Sequence, residues 1–186
     1  MAFTPNVANV KMRACEVSWG GDDLGLLDGN IEVTMEEQMF DVTAHQYDTQ
    51  VLGQIRTGKN VEVTLSLKES DVERLKEMIQ ASGGTHTPSV GTSPTAVTGW
   101  GTSKNFKGTF EDAKRLVLHP RDMGASKAED LCFWLAYPVL ESLTFSGEES
   151  QTIPVTFKIF NDVSKPEAVS MFIIGDHSQT AFDDVP

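Results

Sequence analysis

Val61-Glu62-Val63-Thr64-Leu65-Ser66-Leu67 decides the fold. Apolar and polar side chains alternate strictly, and a period of two is what a strand with one buried face requires. Ile31-Glu32-Val33-Thr34-Met35 repeats the pattern upstream, and Ile153, Val155, Phe157 and Ile159 repeat it downstream, opposite Thr156 and Lys158. If the apolar residues of the first two stretches face a core, then Glu32, Thr34, Glu62, Thr64 and Ser66 face away from it. Leu131–Tyr137 is apolar at every position and predicts a central strand covered on both sides, continued past Pro138 by Glu141–Phe145. Cys15–Trp19 and Arg115–Leu118 predict further strands, and Val169–Ile174 the last. Gly20-Gly21-Asp22-Asp23 and Leu27-Asp28-Gly29-Asn30 read as turns.

One helix interrupts the strands. Ser70-Asp71-Val72-Glu73 has the form of a capping box, in which serine and glutamate each satisfy a free backbone N–H. Val72, Leu75 and Ile79, flanked by Met78, give a single apolar stripe, and Gly83-Gly84 ends it. The expected class is therefore mainly β, with one amphipathic helix laid on a largely antiparallel sheet system.

The 186 residues fit one domain, long enough to bury a core without staples. A hydrophobic fraction of 39% and a charged fraction of 23% are ordinary for a globular chain. No apolar run approaches the ~20 residues that span a bilayer. Residues 1–12 read as an N-terminal arm, and Met1–Val17 lacks the apolar stretch of a signal peptide, so synthesis and folding in the cytoplasm are expected. The net charge is −12, from 15 Lys+Arg against 27 Asp+Glu. That balance argues against tight nucleic-acid binding, which needs a basic face.

Two segments escape the strand pattern. Residues 43–58, TAHQYDTQVLGQIRTG, are too long for a hairpin turn and predict a functional long loop. In residues 82–109, 19 of 28 are Gly, Ser, Thr or Pro, which predicts an exposed insertion, weakly stranded at most. Between Asp28 and Ile55 stand six acids and no Lys or Arg. This is either a solvated acidic face or a surface past which something negative slides.

No constellation for catalysis emerges. His45, His86, His119 and His177 are scattered, without the paired spacing of metal ligands. Nucleophile elbow and phosphate-binding loop are both missing from the sequence. Glu36-Glu37, Glu148-Glu149 and Asp183-Asp184 read as acids on solvated turns rather than acid–base couples. Neither cofactor, metal nor catalytic residue is expected. Cys15 and Cys132 fit neither a zinc site nor a redox pair and read as free thiols.

Over roughly the first 80 residues the order of motifs resembles the bacteriophage tail tube proteins. Glu16-Val17-Ser18-Trp19-Gly20-Gly21-Asp22-Asp23-Leu24-Gly25 is similar to that family's strand-and-turn opening. Gly29-Asn30-Ile31-Glu32-Val33-Thr34 corresponds to its next strand, and Asp41-Val42-Thr43-Ala44-His45-Gln46 to the stretch after it. The alternating Gly58–Leu67 and the helix start Lys68–Leu75 follow in the family's order. Tyr47-Asp48-Thr49-Gln50 departs from the glycine-then-proline the family commonly carries there.

The resemblance implies a β-sandwich or partial-barrel subunit with one flanking helix, six copies of which join into a continuous β-barrel ring. Stacked rings would form the tail tube, the conduit for DNA delivery. A shared barrel removes open strand edges. Partners would be copies of the chain and other tail proteins (tape measure, baseplate or tip, and a sheath where the tail has one), with no membrane involved. The expected location is the virion tail, after synthesis in the host cytoplasm. Glu32 and Glu62 become candidate lumen acids, which keep DNA from adhering. Tyr47, Asp48, Val51, Leu52 and Ile55 become candidate inter-subunit loop contacts, and Cys15 and Cys132 candidate cross-links. Two alternatives stay open: a secreted or surface β-sandwich module binding carbohydrate through Trp19, Trp100 or Trp134, and another tail or neck ring of the same fold.

Overall fold

Every long alternating stretch finds its place in one antiparallel sheet. The computed structural model describes residues 13–43, 50–68, 72–86, 97–102, 104–105, 107–143 and 151–178. In chain order the strands are β1 (Cys15–Trp19), β2 (Asp22–Asp23), β3 (Leu27–Thr43), β4 (Val51–Leu67), β5 (Gly84–His86), β6 (Val97–Gly99), β7 (Lys114–Pro120), β8 (Leu131–Leu140), β9 (Ile153–Phe160) and β10 (Phe172–Ile174). The helix α1 (Val72–Ser82) lies between β4 and β5. The large sheet runs β2-β1-β7-β8-β9-β4-β3, with β10 added on β8. Gly20 and Gly21, at φ +67° and +100°, make the tight reversal from β1 to β2 in the left-handed region that glycine enters without strain.

One core lies inside that sheet. Val17 and Trp19 of β1, Val61, Val63, Leu65 and Leu67 of β4, Leu116 and Leu118 of β7, and Ile153, Val155, Phe157 and Ile159 of β9 form a single buried cluster. Trp19 and Phe157, from strands separated by β7 and β8, bring their rings to 6.1 Å. Such contact demands a curled sheet. The connecting residues Leu24 and Leu26 then bridge its ends: Leu24 N–H donates to Val17 O in β1, and Lys68 N–H to Leu26 O, each at 2.8 Å. Of the two expected forms, sandwich or partial barrel, the subunit takes the second: one large antiparallel sheet curled into an open barrel. Met78 and Ala81 of α1 join the core.

The central-strand reading of Leu131–Tyr137 holds. Phe133 and Ala136 of β8 face the main core, whereas Cys132 and Trp134 pack on the opposite side with Val117 and Ile173. β10 lies beside β8 in the same sheet, so Val117, Cys132 and Ile173 form one cross-strand row on that second face, with Val169 and Leu135 packed against it. Trp134 Nε1–H donates to Val169 O at 2.8 Å, and the Trp19 indole N–H to Ala136 O at 2.9 Å.

Three expectations shift. Leu27-Asp28-Gly29-Asn30 is not a turn between strands but the start of β3, where the register slips between Asp28 and Glu32. Gly29 sits there at φ +70°, so the same residues build a bulge that bends the strand. The long loop expected over 43–58 is largely strand: β3 continues to Thr43, and β4 begins at Val51. Glu141–Leu143 do not continue β8, which ends at Leu140. Of the insertion 82–109, Gly84–His86 and Val97–Gly99 pair as a small separate sheet against α1. Gly83 makes that packing fit, since a Cβ there would stand 2.1 Å from Gly99 O. The capping serine Ser70 lies outside the described residues.

Candidate functional site

β9 accompanies β4 only from Glu62 to Leu67. Beyond that point β3 and β4 continue alone as a two-stranded arm, paired from Met35–Val61 out to Thr43–Val51. Met35, Met39, Phe40, Val51, Leu52 and Ile55 on it are 47–63% exposed. The backbone ladder, with register shifts after Gln38 and Val42, holds the arm together. Polar cross-links reinforce it: Gln54 Nε2 donates to Asp41 Oδ1 at 2.8 Å, Thr57 Oγ1 to Gln38 O at 3.1 Å, and Arg56 pairs with Glu37 at 3.1 Å. These contacts are solvent-exposed and individually worth little. A two-stranded ribbon is marginal by itself in water, and a row of exposed apolar side chains on an open edge is an association surface.

Of the residues expected to reach a neighbouring copy, Val51, Leu52 and Ile55 therefore sit on a strand rather than a loop. Tyr47 and Asp48 lie outside the described residues. Met35, Met39 and Phe40 were not singled out by the sequence reading. Their signal was legible, because the adjacent pairs Met39-Phe40 and Val51-Leu52 put apolar side chains on both faces at once. A half-buried strand does not do that.

Glu32 and Glu62 do share a face. Opposite the core, the register aligns Glu32 with Thr64, Thr34 with Glu62, and Glu62 in turn with Lys158 of β9. Thr64 and Thr156 hydroxyls approach to 3.4 Å across β4 and β9. Asn60 Nδ2 donates to Glu62 Oε1 at 3.5 Å, and Lys158 Nζ lies 3.9 Å from the same oxygen. Glu62 is thus partly offset by a cation. Glu32 stands opposite neutral Thr64 in the ladder and lines the cleft that Arg13 and Arg121 also line.

The open side of the barrel is a cleft of ≈ 820 Å³ between β1 and β3, lined by Cys15, Leu27, Ile31, Val33 and Leu118 with Arg13 and Arg121 at its polar edge. Both cysteines are free thiols. Cys15 is half-buried in this cleft, where burial pushes its pKa up against the opposing pull of Arg13. Cys132 is wholly buried, and burial raises its thiol to about 11.

No protein-family model matches this chain, and no curated protein does so by sequence. Its own residues must carry the functional argument. Among the described residues no group of three His, Cys, Asp or Glu is arranged to hold a metal ion, and no helix is long and apolar enough to cross a membrane. Trp19 and Trp134 are committed to the two cores, and only Trp100, 65% exposed, offers an indole face to solvent. The histidines are less scattered in space than in sequence: His119 and His177 both approach Asp130.

Proposed function

We propose that this chain is a structural subunit that polymerises, and specifically a phage tail tube protein whose stacked hexameric rings form the conduit for DNA. The paired arm carries this reading. Natural sheets protect a long apolar edge or cover it, and here 17-residue strands extend past their own barrel with six large apolar side chains in solvent. A second copy is the simplest cover, because among the described residues the barrel also ends in two unclosed edges, β3 on one side and β1–β2 on the other. Joining the β3 edge of one copy to the β1–β2 edge of the next would extend the sheet around a ring.

The outer face of β3, β4 and β9 supports a channel lining. It is polar and hydroxyl-rich, with Glu32 and Glu62 among threonines, and the whole chain carries −12. Duplex DNA presents one negative charge per ~1.7 Å of axis and adheres to basic surfaces. At a Debye length of ~8 Å, wall acids repel it only at close approach. The carbohydrate-module reading is weakened by the placement of Trp19 and Trp134, since stacking on a sugar needs an exposed ring.

Electron microscopy of the purified protein over a range of concentrations tests the proposal. Tubes, or rings that stack when concentrated, are expected. Single rings that never stack would favour a neck or terminator component. A monodisperse monomer at every concentration would overturn the assignment.

A further inference from the structure

Three elements converge on one carboxylate. Asp130 directly precedes β8 and is 98% buried by residue, being only 2% exposed. His119 of β7 lies with Nδ1 2.6 Å from Asp130 Oδ1 and Nε2 2.7 Å from Gly124 O. A backbone carbonyl can only accept, and a carboxylate accepts as well, so both ring nitrogens must carry protons and donate. His119 is accordingly an imidazolium. From the other side His177, three residues past β10, places Nδ1 3.7 Å from Asp130 Oδ2, and that buried nitrogen has no hydrogen-bond partner among the described residues. The chain is anchored beside it by Gly175 N–H donating to Asp130 O at 2.8 Å.

We propose that His119, Asp130 and His177 form a pH-gated clasp, which holds β10 on β8 while one imidazole is charged and loosens when both or neither are. The geometry sets the logic. With His119 charged and His177 neutral, Asp130 balances one cation and both donors of His119 are used. Protonating His177 adds a second cation beside the same carboxylate. The other charged groups facing it are Arg115 of β7, Lys127 of the β7–β8 connection and Asp176 on its own segment, so with the His119 imidazolium on Asp130 three cations stand against two acids. Removing the proton from His119 instead sets a bare nitrogen lone pair against either Asp130 or the Gly124 carbonyl. Glu16 of β1 also faces His119, and is itself paired with Arg121 at 3.2 Å.

The two histidines are tuned in opposite directions. Hydrogen bonding to Asp130, then to the Gly124 carbonyl, holds His119 above the ordinary histidine range. Its contribution is complete below the unfolded value of ~6.5 and is lost as pH rises through the raised one. Burial, then Arg115 and Lys127, holds His177 below that range. Its contribution is present above ~6.5 and is lost as pH falls through the lowered one. The clasp is therefore tightest in a band around neutrality. The β10 strand is suited to release, being three residues long and paired with β8 alone.

Amide hydrogen exchange, corrected for the intrinsic pH dependence, reads the clasp directly. The protection of Phe172–Ile174, referenced to β9 in the same molecule, should peak between the two titrations, fall severalfold as pH drops through the lowered value of His177, and fall again as pH rises through the raised value of His119. His177→Gln should remove the acid limb and leave the alkaline one, and His119→Gln should do the converse. Should His119→Gln not fold, the His177→Gln comparison and an NMR titration of the two imidazoles in the unmodified chain decide the matter. One ring titrating below ~6.5 and the other above it is the expected result. Protection of β10 that tracks β9 at every pH, an acid limb surviving in His177→Gln, or two imidazoles titrating together would each overturn the clasp.

Discussion

Strand β4 runs from the buried core of the barrel out into an exposed arm. In the barrel, Val61, Val63, Leu65 and Leu67 of β4 are at most 3% exposed. A few residues outward on the same strand, Val51, Leu52 and Ile55 stand about half exposed. Strand propensity and pairing do not change between the two halves. What changes is the neighbour: β9 pairs with β4 up to Glu62 and then turns away. The comparison separates two uses of an apolar side chain, one that holds the subunit together and one left for something outside it.

Substitution in the barrel half should have the largest effect. Phe157 is fully buried against Trp19, and Phe157→Ala should cost about 3–5 kcal/mol through lost transfer energy and the cavity left behind. Urea denaturation of the monomeric form would measure it. A loss below ~1 kcal/mol would mean that the barrel core is not the stabilising unit described.

The arm half should behave in reverse. Phe40 and Ile55 are cross-strand partners, 63% and 57% exposed. Replacing both with aspartate should shift the midpoint of unfolding by no more than about 0.5 kcal/mol, yet abolish polymerisation. Deleting Tyr47–Gln54 should likewise leave a folded subunit that forms no tubes. Tubes of normal length from either variant, seen by electron microscopy, would break the claim that the arm is an assembly element.

How this contrast was hidden in the sequence has a physical reason. Period two is a statement about one strand with one wet face, so Val61–Leu67 and Ile153–Ile159 announced themselves. The arm has two wet faces, and its apolar residues follow no period, which left 43–58 reading as a loop. Gly29 signalled a backbone departure, but whether φ > 0 yields a turn or a bulge depends on the partner strand, which the local sequence does not contain. The curl of the sheet rests on contacts such as Trp19 with Phe157, 138 positions apart along the chain. The His119–Asp130–His177 cluster was invisible for the same reason, since its members meet only once β7, β8 and β10 are in register.

A smaller effect is expected on the polar face between the two halves. Glu32→Lys with Glu62→Lys reverses two solvated charges that make no core contact, so folding and assembly should persist. DNA ejection from such particles should slow, and more so at low salt, where screening is weaker. Lys158 sharpens the test: it already lies 3.9 Å from Glu62, so Glu62→Lys alone replaces a charge that is partly offset. An assembled structure with both carboxylates on the outside of the tube would sink the lumen assignment.

The smallest effect concerns the two thiols, which divide along the same line between inside and edge. Cys132 is buried in the second cluster with Val117, Trp134 and Ile173, and its thiol is held at about 11, so at neutral pH it is neither accessible nor ionised. Cys15 opens at the start of β1 onto the cleft beside the unpaired side of β3. Burial raises it too, though Arg13 opposes the shift, so alkylation should be slow at neutral pH and faster as pH rises. In the folded subunit a thiol reagent should therefore modify one cysteine, and Cys15→Ser should abolish that modification. If copies meet along the β1 and β3 edges, Cys15 is the thiol near the junction. A disulfide there needs a second Cys15 within ~7 Å by Cα, which a ring joining unlike edges does not supply. Non-reducing electrophoresis of assembled tubes should consequently show monomer alone. A ladder of multimers that collapses with reductant and disappears in Cys15→Ser would instead mean that like edges meet, and would overturn the ring geometry while leaving the arm's role intact.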